Sequence, residues 1–162
     1  MKEQEKSTGS GPERINAKLG EDGIFNMATA TPVYFPKHED VNGALCVYES
    51  GRHVPFDIRR VFTVSARKGD VRGDHAHKQC TQLLVCVAGN ICVTCDDGSA
   101  SQNYILDNIG IGLLVPPGIW AREEYMVDDA VLMVLCDRDY EPDDYIRDYN
   151  EFQIFLAVKE SK

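Results

Sequence analysis

A chain of 162 residues with 43% hydrophobic content is one domain's worth of sequence, with enough apolar material for a core. The formal charge of −9 argues against generic binding to nucleic acid or anionic membranes, but a pocket can still be basic inside an acidic protein. No apolar run is long enough to span a bilayer, and the polar start MKEQEKSTGSGPERINAKLG lacks the apolar stretch of a signal peptide, so a cytoplasmic protein is expected.

Residues 1–28 read as a polar arm or linker, with one short helix around 13–19; residues 29–162 read as a single domain. From Val33 onward, short runs rich in Val, Ile, Leu, Tyr and Cys cover 44–49, 59–65, 81–87, 91–96, 102–106, 112–116 and 130–136. Turn signals separate them, among them Lys68-Gly69-Asp70, Ala88-Gly89-Asn90, Asp96-Asp97-Gly98 and Val127-Asp128-Asp129. That rhythm predicts an all-β sandwich or barrel. Only the end looks helical: over 143–158, Tyr145, Tyr149, Phe152 and Leu156 recur at spacings of four, three and four, as on one face of a helix or a docked tail. Tyr145 and Tyr149 are therefore expected to anchor this segment. Of the six cysteines, Cys92 and Cys95 form a C-x-x-C, which is read as small buried strand residues in preference to a redox or zinc pair.

The string Gly69-Asp-Val-Arg-Gly-Asp-His75-Ala-His77 has the form G-x5-H-x-H. Side chains two apart on a strand share a face, so both imidazoles project the same way. Gln82 and then Gly89 follow at the spacing where the cupin signature places a metal-binding Glu and a Gly. Gly110, Pro116 and Gly118 match the second cupin signature, but Ala121 stands at its closing histidine. The resemblance is to the double-stranded β-helix, or jelly-roll, fold. Two of the four usual ligand positions thus lack a donor suited to a transition metal, so no metal and no cofactor are expected. Imidazoles that hold no metal are suited to moving protons near neutral pH.

The longer strings Arg72-Gly-Asp-His-Ala-His-Lys78, Gln82-Leu-Leu-Val-Cys-Val-Ala-Gly89 and Asp96-Asp-Gly98 resemble the sugar 3,4-ketoisomerases, which include the WxcM-like C-terminal domains. Leu113-Leu-Val-Pro-Pro-Gly-Ile-Trp120 and the stretch Asp143-Asp-Tyr-Ile-Arg-Asp-Tyr-Asn-Glu-Phe152 look like that family's second half and ending. The resemblance implies a metal-free homodimer acting on a dTDP-linked keto-deoxysugar in deoxysugar and polysaccharide biosynthesis. It places His75 and His77 on the catalytic pair, and Arg72 on an arginine found before the base histidine of related epimerases. Two departures stand out: Ala121 replaces a histidine common after the family's Trp, and Asn42 replaces an arginine near the start.

A 4-keto sugar has an acidified proton at C3. Its removal gives an enediol, and a proton returned to C4 leaves the keto group at C3. His77 is expected to be the carbon base, with His75 as relay, although spacing alone does not fix these roles. Arg72, Lys78 and Gln82 are candidates for stabilising the enediolate, and Arg72 and Lys78 equally for holding the diphosphate. Arg59 and Arg60 alternate in facing, and Arg60 is taken as the inward one. Trp120 is a candidate to pack on sugar or base, with a core role as the competing reading. The rival functions are a 3,5-epimerase on the same scaffold and a non-catalytic sugar-nucleotide-binding module.

Overall fold

The structure, a computed structural model, describes residues 28–161. The polar arm expected over 1–28 (apart from residue 28) and the short helix around 13–19 lie outside the described residues. The strands in chain order are β1 (Thr31–Tyr34), β2 (Lys37–Asp40), β3 (Gly43–Cys46), β4 (Arg60–Ala66), β5 (Val71–His77), β6 (Gln82–Ala88), β7 (Ile91–Asp96), β8 (Ser101–Leu106), β9 (Ile111–Val115), β10 (Trp120–Tyr125), β11 (Ala130–Cys136) and β12 (Tyr145–Ile146). A 3-10 turn at Pro142–Asp144 precedes β12, and one helix, α1 (Tyr149–Glu160), follows it.

Two five-stranded antiparallel sheets, ordered β1-β9-β6-β11-β4 and β12-β5-β10-β7-β8, make the expected all-β jelly roll. The sheets are not closed into a continuous barrel. Strands β2 and β3 form a separate hairpin. The inward side chains Leu84, Cys86, Ile91, Val93, Leu113, Leu132 and Tyr125 build the core between the sheets. Strand β6 is also buried on its outer face, where Leu83 and Val85 pack with Val33, Phe35, Val54 and Leu135. Burial on both faces explains why 82–88 reads as a continuous apolar run instead of an alternating one.

The runs at 91–96 and 130–136 coincide with β7 and β11, and the other expected runs match strands to within a few residues. Cys92 and Cys95, three apart on β7, fall on opposite faces, with Cys95 buried and Cys92 half-buried. The helix is shorter than expected. The Asp148 side chain accepts a hydrogen bond from the Glu151 N–H and caps α1 there, while Tyr145 and Ile146 pair with His77 and Ala76 at the edge of β5. Tyr149 and Phe152 belong to the helix, and Tyr145 does not. Phe152 is fully buried against Trp120, Ala76 and Ile146. Burying one such ring contributes about 1.5–3 kcal/mol, which fastens α1 over the outside of β5 and β10.

Candidate active site

A cavity of about 400 Å³ lies between the two sheets, within the size range of small-molecule sites. One wall is mainly apolar: Phe62 and Val64 of β4 and Leu132 and Val134 of β11, joined by Gln82 of β6. The facing wall is polar and carries Arg72, Gly73, His75, Glu123, Tyr145 and Arg147. This is a basic, polar interior inside an acidic protein, as the composition allowed.

A β-bulge aims the key histidine. In the β5–β10 ladder Ala121 pairs with His75 but the next residue, Arg122, pairs with Gly73, so Asp74 is the extra residue. Gly73 and Asp74 have φ of 70° and 59°. Glycine and aspartate tolerate this left-handed region best, and the extra residue lets Arg72 and His75, three apart, both face the cavity. The Trp120 indole N–H donates to the Asp74 carboxylate at 3.0 Å and secures the bulge. Trp120 therefore supports the site from the core and is not part of the cavity wall.

His75 Nε2 lies 3.2 Å from His77 Nε2, and His77 Nδ1 lies 2.8 Å from an Asp144 oxygen. Asp144 also accepts the backbone N–H groups of Gln79 (2.7 Å) and Cys80 (3.2 Å). Burial works against its charge, but the hydrogen bonds from His77 and the two amides hold the carboxyl below its ordinary range. An ionised Asp144 fixes the His77 proton on Nδ1 and leaves Nε2 as an acceptor toward His75. Burial pushes His77 down to about 4, against the opposing pull of Asp144, with further lowering by His75. Burial also lowers His75, while the Gly73 carbonyl favours a proton on its ring. Both rings are therefore neutral at pH 7. His75 borders the cavity; His77 is buried behind it, tied to the carboxylate.

The Tyr145 ring leans on both imidazoles, with centroids 4.4 Å from His77 and 5.0 Å from His75. The Arg147 guanidinium lies 4.5 Å from the Tyr145 ring centroid. Arg60 donates to the Tyr145 hydroxyl (3.4 Å) and to the Cys136 sulfur (3.5 Å), while Arg59 is exposed and faces Asp139. Arg60 thus points inward, behind Tyr145. Gln82 reaches the cavity with its amide nitrogen 3.7 Å from Cys136. The hydrogen bond from Cys80 and the nearby Arg60 charge make Cys136 the more acidic thiol of that buried pair. Lys78 is exposed and donates to the Asp143 carbonyl at 2.7 Å, away from the cavity wall. Asn42 sits in the exposed turn of the β2–β3 hairpin, where its N–H bonds Asp40. Ala121 is buried beside His75, so its methyl group occupies an inward position.

The sequence alone does not single out Glu123, Asp144 or Arg147, and it points to Tyr145 as an anchor of the C-terminal segment, whereas the structure brings Tyr145 to the cavity. Glu123 was within reach of that reasoning, because it stands two residues beyond Ala121 and so shares its inward face. Asp144 gave no such signal: the chain end brings it to His77 across 67 positions.

The model of the FdtA family, described as WxcM-like, C-terminal, matches residues 29–157. TDP-4-oxo-6-deoxy-α-D-glucose-3,4-oxoisomerase of Aneurinibacillus thermoaerophilus is 39% identical over 126 residues, 77% of this chain and 91% of that protein. A 3,4-ketoisomerase from Helicobacter canadensis superposes with a TM-score of 0.76 at 31% identity, over 79% of this chain and 97% of its own. QdtA, a sugar 3,4-ketoisomerase from Thermoanaerobacterium thermosaccharolyticum solved in complex with TDP, gives 0.78 at 27% identity, over 81% and 96%. With its cavity, its histidine pair and this breadth of similarity, the chain belongs to the WxcM-like family of sugar 3,4-ketoisomerases.

Proposed function

We propose that this protein moves the keto group between C4 and C3 of a dTDP-4-keto-6-deoxyhexose through an enediol intermediate. The observation that carries the reading is the His75–His77–Asp144 chain opening into a polar cavity, in a chain 39% identical to a TDP-sugar 3,4-oxoisomerase. His75 is the carbon base, because it borders the cavity and is neutral at pH 7. His77 and Asp144 orient that ring and steady the imidazolium that forms on it. This reading exchanges the roles that the sequence analysis favours for the two histidines. Arg72 and Arg147, the two cations of the cavity wall, hold the diphosphate and offset enediolate charge, and the Gln82 amide is placed to donate to a sugar oxygen. Turnover of dTDP-4-keto-6-deoxyglucose by purified protein tests the reading. Tight binding without turnover would favour the sugar-nucleotide-binding module instead, and inversion at C5 would favour the epimerase.

The reaction proposed here uses no metal. His77, Cys80 and Asp144 bring donor atoms within 4.8 Å of one another. Asp144 is already taken up by three N–H groups, and an ion there would displace the proton between it and His77. Activity is expected to survive dialysis against a chelator unchanged. Loss of activity that added metal restores would contradict this.

A homodimer built through β-strands is the assembly we propose, with the second copy docking on the β2–β3 hairpin. The hairpin pairs with neither sheet, it leaves Val41 and Leu45 exposed, and an open groove runs along 38–45. Light scattering at micromolar concentration is expected to give twice the chain mass, and a monomer would overturn the assignment. The setting that fits such a substrate is cytoplasmic deoxysugar synthesis for surface polysaccharide. Among the described residues, no helix is long and apolar enough to cross a membrane.

A further inference from the structure

Isomerisation moves two hydrogens. One leaves C3 and returns to C4; the other leaves the C3 hydroxyl and ends on the C4 oxygen. The imidazole chain accounts for the first. Glu123 is a buried carboxyl that this chain leaves unused. Its side chain lines the cavity with His75, it is 8% exposed, and it forms no ion pair among the described residues. It sits opposite Arg72 in the ladder, two positions from the residue paired with His75. The backbone makes room for it: a Cβ on Gly73 would lie 2.1 Å from Glu123 Oε2 and 2.7 Å from its carboxyl carbon. The space left by the missing Cβ of Gly73 is filled by the Glu123 carboxyl, which holds it at one place in the cavity.

We propose that Glu123 is the catalytic acid–base that carries a proton between the C4 and C3 oxygens of the sugar. The proposal rests on the ketoisomerase reading above. The steps balance as follows. His75 takes the C3 proton, and the C3–H electron pair becomes the C3=C4 bond. The carbonyl π pair at C4 takes the proton of the Glu123 carboxylic acid, giving the enediol. The Glu123 carboxylate then removes the C3 hydroxyl proton, and that O–H pair becomes the new C3 carbonyl. The C3=C4 π pair takes the proton from His75 at C4. Enzyme groups end as they began, and no oxidant or reductant is needed. A carboxyl suits this task because one of its oxygens can donate while the other accepts, across two oxygens on adjacent carbons.

The charge state supports the role. Burial raises Glu123 to about 7; Asp74 raises it further and Arg72 opposes. The other titratable groups around it are His75 on β5, Tyr125 on its own strand, and Cys95 on β7, whose thiol Glu123 helps to raise. A carboxyl near 7 is populated in both forms at working pH, as proton carriage requires.

The test uses the full-length protein and dTDP-4-keto-6-deoxyglucose in deuterated buffer. Glu123→Gln keeps the size and a donor but carries no proton. It is expected to lower 3-keto product formation by about 10²-fold, while exchange of the C3 hydrogen falls much less, because the amide still steadies the C4 oxygen. A merely structural role would lower both together, and that result would overturn the proposal, as would product formation within threefold of wild type. For wild type, kcat/KM is expected to decline above pH 7 as the acid form is lost, and a flat profile from pH 6.5 to 8.5 would also overturn it. This second measurement stands even if the variant fails to fold. Glu123→Asp is expected to keep the decline at a reduced rate. A wild type with no isomerase activity would instead remove the parent reading and this proposal with it, so the two failures are distinguishable.

Discussion

His75→Asn is expected to lower isomerase turnover by about 10²–10⁴-fold, the usual consequence of losing a general base. Asparagine is close to imidazole in size and polarity but does not take up a proton near neutral pH. The fold has little reason to change. His75 lines the cavity and, among the described residues, the side chain it bonds is that of His77, so the substitution leaves the core between the sheets intact. TDP binding, read by calorimetry, is expected to stay within a few-fold of wild type, and C3 exchange is expected to vanish. His77→Asn acts one step further back, on a group behind the cavity wall. It is expected to slow turnover while leaving measurable C3 exchange. If exchange survives in the His75 variant and vanishes in the His77 variant, His77 is the carbon base and His75 the relay.

The second large effect belongs to Asp144. Asp144→Asn leaves a single oxygen, which can accept either from the Gln79 N–H or on the side shared by the Cys80 N–H and His77 Nδ1; turned toward Gln79, it presents an N–H to His77 Nδ1. The N–H would force the His77 proton onto Nε2, where it meets His75 from the wrong side. Loss of the orienting carboxylate is expected to cost about 10²–10⁴-fold in kcat. Substrate affinity is expected to hold, because Asp144 is not part of the cavity wall. Asp144→Ala adds a stability cost: the two backbone N–H groups lose their acceptor, at about 1–3 kcal/mol each where no water replaces it. A kcat for Asp144→Asn within threefold of wild type would show that the carboxylate has no part in the proton path.

The glycine, proline and histidine spacing made the jelly roll legible, since turns and the His-x-His pair are local features. Within the two five-stranded sheets, the strands least visible as apolar runs are β5 and β10, and they carry the site. Their sequences, Val-Arg-Gly-Asp-His-Ala-His and Trp-Ala-Arg-Glu-Glu-Tyr, are polar because their inner faces line a polar cavity. A hydrophobic pattern records core burial, so it fades where the interior is functional. The bulge at Asp74 was equally hidden, because an extra strand residue leaves no fixed mark in composition. Asp144 and Tyr145 were absorbed into an expected helix by the spacing of aromatic residues. The Asp148 cap and the pairing of β12 with β5 override that spacing and bring both residues to the histidines.

The most direct measurement is proton and carbon NMR of the product formed from dTDP-4-keto-6-deoxyglucose by the wild-type protein in deuterated water. The account predicts that the keto carbon appears at C3, that C4 becomes a carbinol centre, and that C5 keeps both its hydrogen and its configuration. A keto group that stays at C4 while deuterium enters C5 with inversion would contradict it.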